Sequence, residues 1–510
     1  MGTLPRLSRA LVSTLPRAGE TGVELPSATT LDLPERVVQF GTGAFLRGFA
    51  EFFIDAANQR GIFNGSIVAV SSTGSTRDEA LNEQDGLFTL AIQGMQDGVA
   101  RQQYRIVSSL RRALSAREDW DAVLAVARDP MIELVISNTT EVGIALDPTD
   151  AFDACPPRSF PAKLTRFLVE RARAFDFDPR CGLVVLPCEL IEQNGDTLRR
   201  LVLELAKRWA VEPDADRWIA EHVVFCNTLV DRIVPGAVPA SEEHALASRL
   251  GYRDQLLTSC EPYALFAIEG DSHLRERIRF ADADERIVVT SDIQPYRERK
   301  VRLLNGGHTI IVPVALLAGL ETVREACEDE RVGVLLRRAM LDEIVPSLTV
   351  PNSDEFAREV LTRFANPYIR HSLIDITLHG TAKMRVRVVP SIVEYSARTG
   401  RTPTALAFGF AAYLAFMRGD VHAERRERGL VVPDDAGADR LRAAWQDADS
   451  ASDVGLMALA RDVCADTALW GTDLTSVGGF AEAVGNHLSR IVRQGIVAAL
   501  DDYLAEPAVI

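Results

Sequence analysis

Arg36-Val37-Val38-Gln39-Phe40-Gly41-Thr42-Gly43-Ala44-Phe45-Leu46-Arg47-Gly48, running on into Phe49 to Arg60, is the stretch that decides the fold. Arg36 to Phe40 is a short apolar run and reads as a strand. Glycines at 41, 43 and 48 mark a turn. Phe49 to Arg60 reads as a helix. Strand, glycine turn and helix make up the layout of a dinucleotide site, where bare backbone approaches a pyrophosphate. The match to G-x-G-x-x-G is partial: Leu46 holds the third glycine position and Gly48 comes two later. A plain strand–helix turn is the competing interpretation. Phe40, Gly41, Gly43, Ala44, Phe45 and Arg47 are the candidate coenzyme contacts here.

Outward from this turn, strands and helices alternate. Ser66 to Val70 reads as the second strand. Its end usually carries an acid for the adenosine ribose, but the run is Ser71-Ser72-Thr73-Gly74-Ser75-Thr76-Arg77. Arg77 could meet a 2′-phosphate, so these residues leave NAD against NADP open. A polar helix is expected near 116–128. Glu133 to Ser137 is a strand ending in Asn138-Thr139-Thr140-Glu141-Val142-Gly143, small and polar where α/β folds bind ligands. Asn138, Thr140 and Glu141 join the candidate coenzyme contacts. Helices at 161–175 and 197–209 flank a strand, Gly182 to Leu186, which runs into Pro187 to Gly195. Val223 to Cys226 leads into Asn227 to Pro235. Residues 262–293 look β-rich. After Pro295 helical periodicity dominates, near 300–320, 322–344, 353–364, 403–418, 438–447, 453–465 and 476–505. The expected organisation is therefore α/β over 1–294 and mostly helical over 295–510. The charged run 419–437 is expected to be a surface loop.

The helical half opens on Tyr296-Arg-Glu-Arg-Lys300-Val-Arg-Leu-Leu-Asn305-Gly-Gly-His308-Thr-Ile-Ile311. At about 100° per residue, Asn305 falls about 140° and His308 about 80° round from Lys300. All three can look into one cleft. Lysine, amide and imidazole supply a proton donor, a carbonyl polariser and a hydroxyl binder. Of 56 Lys plus Arg only four are lysine, at 163, 207, 300 and 383. Arginine does not release its proton near neutral pH, whereas a desolvated lysine does. Tyr296 and Lys300 also form a Tyr-x-x-x-Lys pair. It lies about 250 residues past the glycine turn, too far for a short-chain dehydrogenase, and Tyr296 is expected to pack at a helix start. His371 and His379, eight apart, are weaker candidates. Asp231 beside Arg232 is open to a structural ion-pair interpretation.

Composition sets the bounds. At 510 residues two or three domains are expected. A hydrophobic content of 47% with 25% charged residues is that of a water-soluble globular chain. A net charge of −16 disfavours nucleic acid and anionic membranes as partners. An acidic substrate would need a local basic pocket. Seven scattered cysteines without a C-x-x-C pair point to a reduced, cytoplasmic chain with no structural zinc. No metal site is expected. The longest apolar run, 310–320, contains Pro313 and Gly319 and is too short to span a bilayer. Residues 1–30 read as a loose arm and not as a signal peptide.

Together these motifs resemble the polyol-specific long-chain dehydrogenase family, whose members act on polyols such as mannitol or on hexuronates. Cys226 to Pro235 is similar to its signature. Lys300, Asn305 and His308 reproduce its Lys-x4-Asn-x2-His. Gln84 to Thr89, Thr140 to Gly143 and Asn194-Gly195 also match. Within the family the chain is most similar to the tagaturonate-type, hexuronate-reducing branch. That likeness rests on Val38 to Gly41 with Phe45 to Arg47, on 137–144, 160–165, 187–195, 295–308 and 363–369, and on Trp470-Gly471-x-Asp473-Leu474. It covers about 33–505. The resemblance implies an extended N-terminal Rossmann domain, a mostly helical C-terminal domain and an active site between them, with NAD as coenzyme. It implies no metal, a sugar-acid substrate, and a monomer or small homo-oligomer. Lys300 would be the acid in keto reduction and Asn194 and Asn305 the carbonyl polarisers. His308, Asp231 and Lys383 would hold substrate hydroxyls or the carboxylate. The mannitol branch has Arg eight residues before the lysine matching Lys383, and here that position is Asp375. A substrate carboxylate could instead meet Lys383, Arg385 or Arg387.

Overall fold

Six parallel strands make the main sheet of the computed structural model, which describes residues 4–15, 22–72, 76–96, 98–139, 143–238, 240–418, 435 and 437–506. In chain order they are β1 (Glu35–Phe40), β2 (Ser66–Ser71), β3 (Leu110–Ser115), β4 (Leu134–Ser137), β5 (Val184–Pro187) and β6 (Val224–Phe225). They lie side by side as β3-β2-β1-β4-β5-β6, the doubly wound order of a Rossmann fold. Phe40 pairs with Val70 on one side and Ser137 on the other. The chain reverses direction across the sheet between β1 and β4, so their C-terminal ends flank the crevice where such folds bind ligands.

The strands are apolar at nearly every position because both faces are covered. Val37, Ile67, Leu134, Ile136, Val184 and Leu186 pack against Phe49 and against Phe53, Ile54 and Ala57 of the helix Ala50–Gln59 that it opens. Their neighbours Val38, Phe40, Val68, Val70, Val135 and Val185 face the other way. They meet the helices Trp120–Ala127, Phe160–Ala174 and Asn194–Arg208. Arg171, buried in this second layer, donates to the carbonyls of Ala127, Asp129, Ile132 and Cys181 and so fixes one helix to two connections.

Two smaller sheets complete the first unit, Met1–Gly94 with Arg101–Ile293. In one, Thr228–Asp231 runs antiparallel to Leu265–Glu269, which runs parallel to Ile287–Thr290. The β-rich expectation for 262–293 holds for those two strands only. The helix Ser272–Arg277 and a 3-10 turn at Arg279–Ala283 lie between them. The other sheet contains Phe88–Gln96 and Val99–Val107. Val99–Val107 escapes sequence reading because its first five residues are exposed and polar–apolar alternation is confined to Gln103–Ile106.

The second unit, Gln294–Ile510 with Met95–Ala100, is helical. Gly306–Leu317 and Thr404–Phe416 are almost wholly buried and apolar all round, as central helices are. They cross closely: a Cβ at Gly409 would lie 2.4 Å from Ile310 Cγ1. Three segments are π-helical rather than α-helical: Lys300–Asn305, Arg338–Ile344 and Met384–Val388. Two of them run directly into Val-Pro, at Val345-Pro346 and Val389-Pro390. Proline has no N–H to donate and its ring clashes with the carbonyl four residues back, which a widened turn relieves. The expected helix at 476–505 is two, Phe480–Gln494 and Ile496–Ala505, parted at Gly495 with φ +85°. Most of the run 419–437 lies outside the described residues.

Candidate active site

The glycine turn shapes one end of a cleft of about 700 Å³ on the first unit. Gly41, Thr42 and Gly43 line it together with Ser71, Ser72, Arg77, Asn138 and Thr139 from the ends of β2 and β4. The glycines have separate reasons. Gly41 has φ +119°, and a Cβ there would sit 2.7 Å from the Asn138 carbonyl oxygen. Gly43 has nothing within 4 Å of a would-be Cβ, so its backbone faces open space. At Gly48 a Cβ would come 2.9 Å from Val234, and this late glycine serves close packing. A volume of this size is that of a small-molecule or cofactor site.

The other predicted coenzyme residues are placed differently. Asn138 lines the cleft and donates from Nδ2 to the Cys188 carbonyl at 2.8 Å. Phe40 is buried against Phe160. Arg47 is buried too, donating to the Thr42 carbonyl at 2.8 Å and Thr258 Oγ1 at 3.0 Å. It braces the turn from behind. Ala44 and Phe45 belong to the one-turn helix Ala44–Arg47. Thr140 and Glu141 lie outside the described residues. The acid missing from the end of β2 arrives from the next helix: Ser71 Oγ donates to the buried carboxyl of Asp78 at 2.5 Å. Asp78 Oδ1 has no partner.

Asn194 is not open to a ligand. Its Nδ2 donates to the carbonyls of Pro187 at 2.9 Å and Glu189 at 3.1 Å, with Thr228 Oγ1 at 3.2 Å. Its Oδ1 accepts from the backbone N–H of Gly195 and of Thr228, both at 2.9 Å. An amide has two N–H donors and one oxygen, and all are committed. Gly195 follows because a Cβ would lie 2.3 Å from the Cys226 carbonyl oxygen. The Asn194-Gly195 pair thus locks the end of β5 to the start of the strand that finishes at the buried Asp231. Arg232 turns away from Asp231 to the carbonyls of Gly48 and Glu261, under the ring of Phe52. The Gln84 to Thr89 motif is a packing knot: Gln84 Nε2 and the Thr89 N–H both donate to buried Asp254.

On the second unit, Lys300, Asn305 and His308 lie on one continuous run that changes from π to α at Gly306. The α-helical angles expected for them do not apply. An i→i+5 turn places the fifth residue about one turn on, which brings Asn305 nearer to the Lys300 face than 140°. Lys300 and Asn305 are half-buried and His308 is buried. The Asn305 carbonyl accepts from Thr309 Oγ1 at 2.7 Å. His308 stacks on Phe364, centroids 4.1 Å apart, and meets His371 edge-on at 4.9 Å. Its Nε2 is buried without a hydrogen-bond partner. Burial, then the charges of His371, Arg363, Arg387 and Lys383, hold the His308 pKa well below the ordinary imidazole value. It is a neutral group at pH 7, suited to a hydroxyl. Lys383 donates from Nζ to the Ile376 carbonyl at 2.8 Å. Burial also lowers the His371 pKa, against the pull of Asp375. Sequence reasoning undervalued His371 and passed over Phe364, although Arg363-Phe364 stood in a motif. Tyr296 carries the guanidinium of Arg299 over its ring. Among the described residues no group of three or more His, Cys, Asp or Glu could hold a metal ion.

The family models for the mannitol dehydrogenase Rossmann domain and the mannitol dehydrogenase C-terminal domain match residues 35–281 and 292–492. A protein named altronate oxidoreductase from Yersinia enterocolitica is 40% identical over 474 residues, covering 92% of this chain and 97% of that one. The chain belongs to the mannitol dehydrogenase family. It is an oxidoreductase acting on CH–OH groups, as that family is. A second member of the family, an altronate oxidoreductase from Bacillus subtilis, is 40% identical across 92% of this chain and 95% of its own. Solved structures of the family share the fold. Mannitol 2-dehydrogenase of Pseudomonas fluorescens, in ternary complex with NAD and D-mannitol, superposes with a TM-score of 0.69 at 22% identity. That match covers 98% of this chain and all of the other. A substrate-free D-sorbitol dehydrogenase gives 0.76 at 24%, covering 97% and 100%. No helix among the described residues is long and apolar enough to cross a membrane.

Proposed function

We propose that this member of the mannitol dehydrogenase family reduces D-tagaturonate to D-altronate with NADH, reversibly, in hexuronate catabolism. The observation that carries this is the 40% identity across 92% of the chain to relatives named altronate oxidoreductase. The neutral His308 ringed by cations, in a chain of net charge −16, supports an anionic sugar. The cleft at Gly41 and Gly43 fits a dinucleotide, because Gly41 admits no side chain and Gly43 leaves its backbone bare. Bound NADH supplies the hydride.

The chain's residues do the rest. Lys300 gives a proton to the carbonyl oxygen as charge builds there, and takes it back in alcohol oxidation. Asn305 donates to the same oxygen and polarises it. Asn194, with its amide committed to backbone, takes a positioning role and fixes the strand that carries Asp231. On the helical unit His308 and Lys383 hold the hydroxyls. NADH oxidation with tagaturonate, fructuronate and fructose as alternative substrates tests the proposal. Tagaturonate is expected to be reduced fastest. Faster turnover of fructuronate or of fructose would move the chain to the corresponding branch of its family.

A further inference from the structure

The basic residues of the helical segments 300–305 and 380–388 differ in how fully their hydrogen-bond donors are used. Arg302 is spent on Ser391 Oγ at 2.6 Å, Ser347 Oγ at 2.9 Å and Glu298 at 3.4 Å. Lys383 gives Nζ to a backbone carbonyl at 2.8 Å. Arg385 is exposed. Arg387 is half-buried, and its guanidinium makes one long contact, Nη1 to Thr309 Oγ1 at 3.5 Å. Among the described residues no carboxylate pairs with it. Burial lowers its pKa and no acid offsets the effect. An arginine withdrawn from water without an anion is costly, and the cost is recovered when an anion arrives.

Its place is fixed by backbone. Arg387 lies in the π segment Met384–Val388, and its carbonyl oxygen passes 3.1 Å from where a Cβ of Gly306 would be. Thr309, its contact, is the next residue after His308. The guanidinium is near enough to the His308 imidazole for its charge to lower that group's pKa.

We propose that Arg387 is the carboxylate anchor of the substrate site, closing a two-pronged pair on the acid group while neutral His308 takes a hydroxyl of the same molecule. This rests on the sugar-acid substrate proposed above. Arginine's planar fork matches a carboxylate in a way an ammonium does not. The anchor selects uronates over neutral keto-sugars, and it stands in for the arginine that Asp375 replaces.

The test compares the wild type with Arg387→Gln and Arg387→Lys in two assays. The first is turnover of D-tagaturonate and D-fructose at saturating NADH. The second is calorimetric binding of D-altronate and D-mannitol. Arg387→Gln is expected to raise KM for tagaturonate about 10²-fold, the loss of a charge-assisted pair, with kcat within about threefold. Fructose turnover, NADH affinity and the thermal midpoint should hold. Arg387→Lys should recover part of the loss. Equal losses on acid and neutral sugars, or an unchanged tagaturonate KM, would overturn the anchor. If the wild type reduces no tagaturonate, the substrate assignment fails and altronate binding decides on Arg387 alone. Binding that Arg387→Gln abolishes supports the anchor. Binding that survives, or no altronate binding by the wild type, removes it.

Discussion

Lys300 is the residue whose chemistry can be separated from its charge. Reduction of a ketone builds negative charge on oxygen, which must be stabilised and then protonated. Asn305 could stabilise it but has no proton to give at neutral pH, and buried His308 is already neutral there. Arginine would keep the charge and lose the exchangeable proton. Lys300→Arg and Lys300→Ala should each lose at least about 10²-fold in kcat, with NADH binding unchanged. Near-normal turnover in Lys300→Arg would leave only charge for Lys300 to supply. Asp78 makes the second prediction. Its carboxyl accepts from Ser71, which lines the cleft proposed for the coenzyme, and a negative charge there would repel a 2′-phosphate. NADH should therefore exceed NADPH in kcat/KM, and Asp78→Asn should narrow the ratio. A ratio that favours NADPH in the wild type would refute this.

The π segments are the elements to which sequence periodicity is blind. Six residues are too few to tell a widened turn from a 3.6 period. The Val-Pro pairs at 345–346 and 389–390 are the legible trace of two of them. By contrast the C-terminal ends of β1 and β4 are plain in sequence, because apolar runs stop at small polar residues. One π segment has a thermodynamic signature. Arg338–Ile344 aims the buried Glu343 carboxyl at the backbone N–H groups of Ala405 and Leu406, which open a central helix. Burial outweighs those bonds and raises its pKa from 4.5 to about 8. The folded state then holds a proton that the unfolded state releases. This group's stabilisation is complete below pH 4.5 and is lost as pH rises towards 8. The Glu343→Gln protein should show a shallower fall of urea midpoint between about pH 5 and 8. An unchanged slope would mean that Glu343 is charged throughout.

For the molecule as a whole, a net charge of −16 sets a field that repels the anion it is proposed to bind. The basic groups round His308 act at short range and are partly buried, so salt screens them less than it screens the surface. Raising ionic strength from about 0.01 to 0.15 M shortens the screening length from about 30 to 8 Å. The kcat/KM for tagaturonate should therefore rise with salt, while that for fructose stays flat. A fall for tagaturonate would show that the local charges dominate at a distance. Legibility at this scale is uneven. The Rossmann and helical halves can be read from composition and spacing, and Lys300, Asn305 and His308 can be read as candidates, with angles that the π turn then changes. Asn194 looks like a polariser in sequence, yet three backbone elements claim its amide. No spacing rule reports such a claim, because the partners are 34 residues away at Thr228 as well as nearby.

The widened turn at Lys300–Asn305 also makes chain length a determinant of the chemistry. A π turn carries one residue more than an α-helix would. Deleting one residue there lets the backbone fall back to the ordinary ladder without turning what lies downstream, whereas inserting one more rotates it by about 100°. After the deletion Asn305 and His308 stand four and seven residues past Lys300, still on its side of the helix, and after the insertion they leave that side with every functional group still present. Substitution scanning is blind to a determinant of this kind, and a single-residue insertion set against a deletion is the genetic change that exposes it.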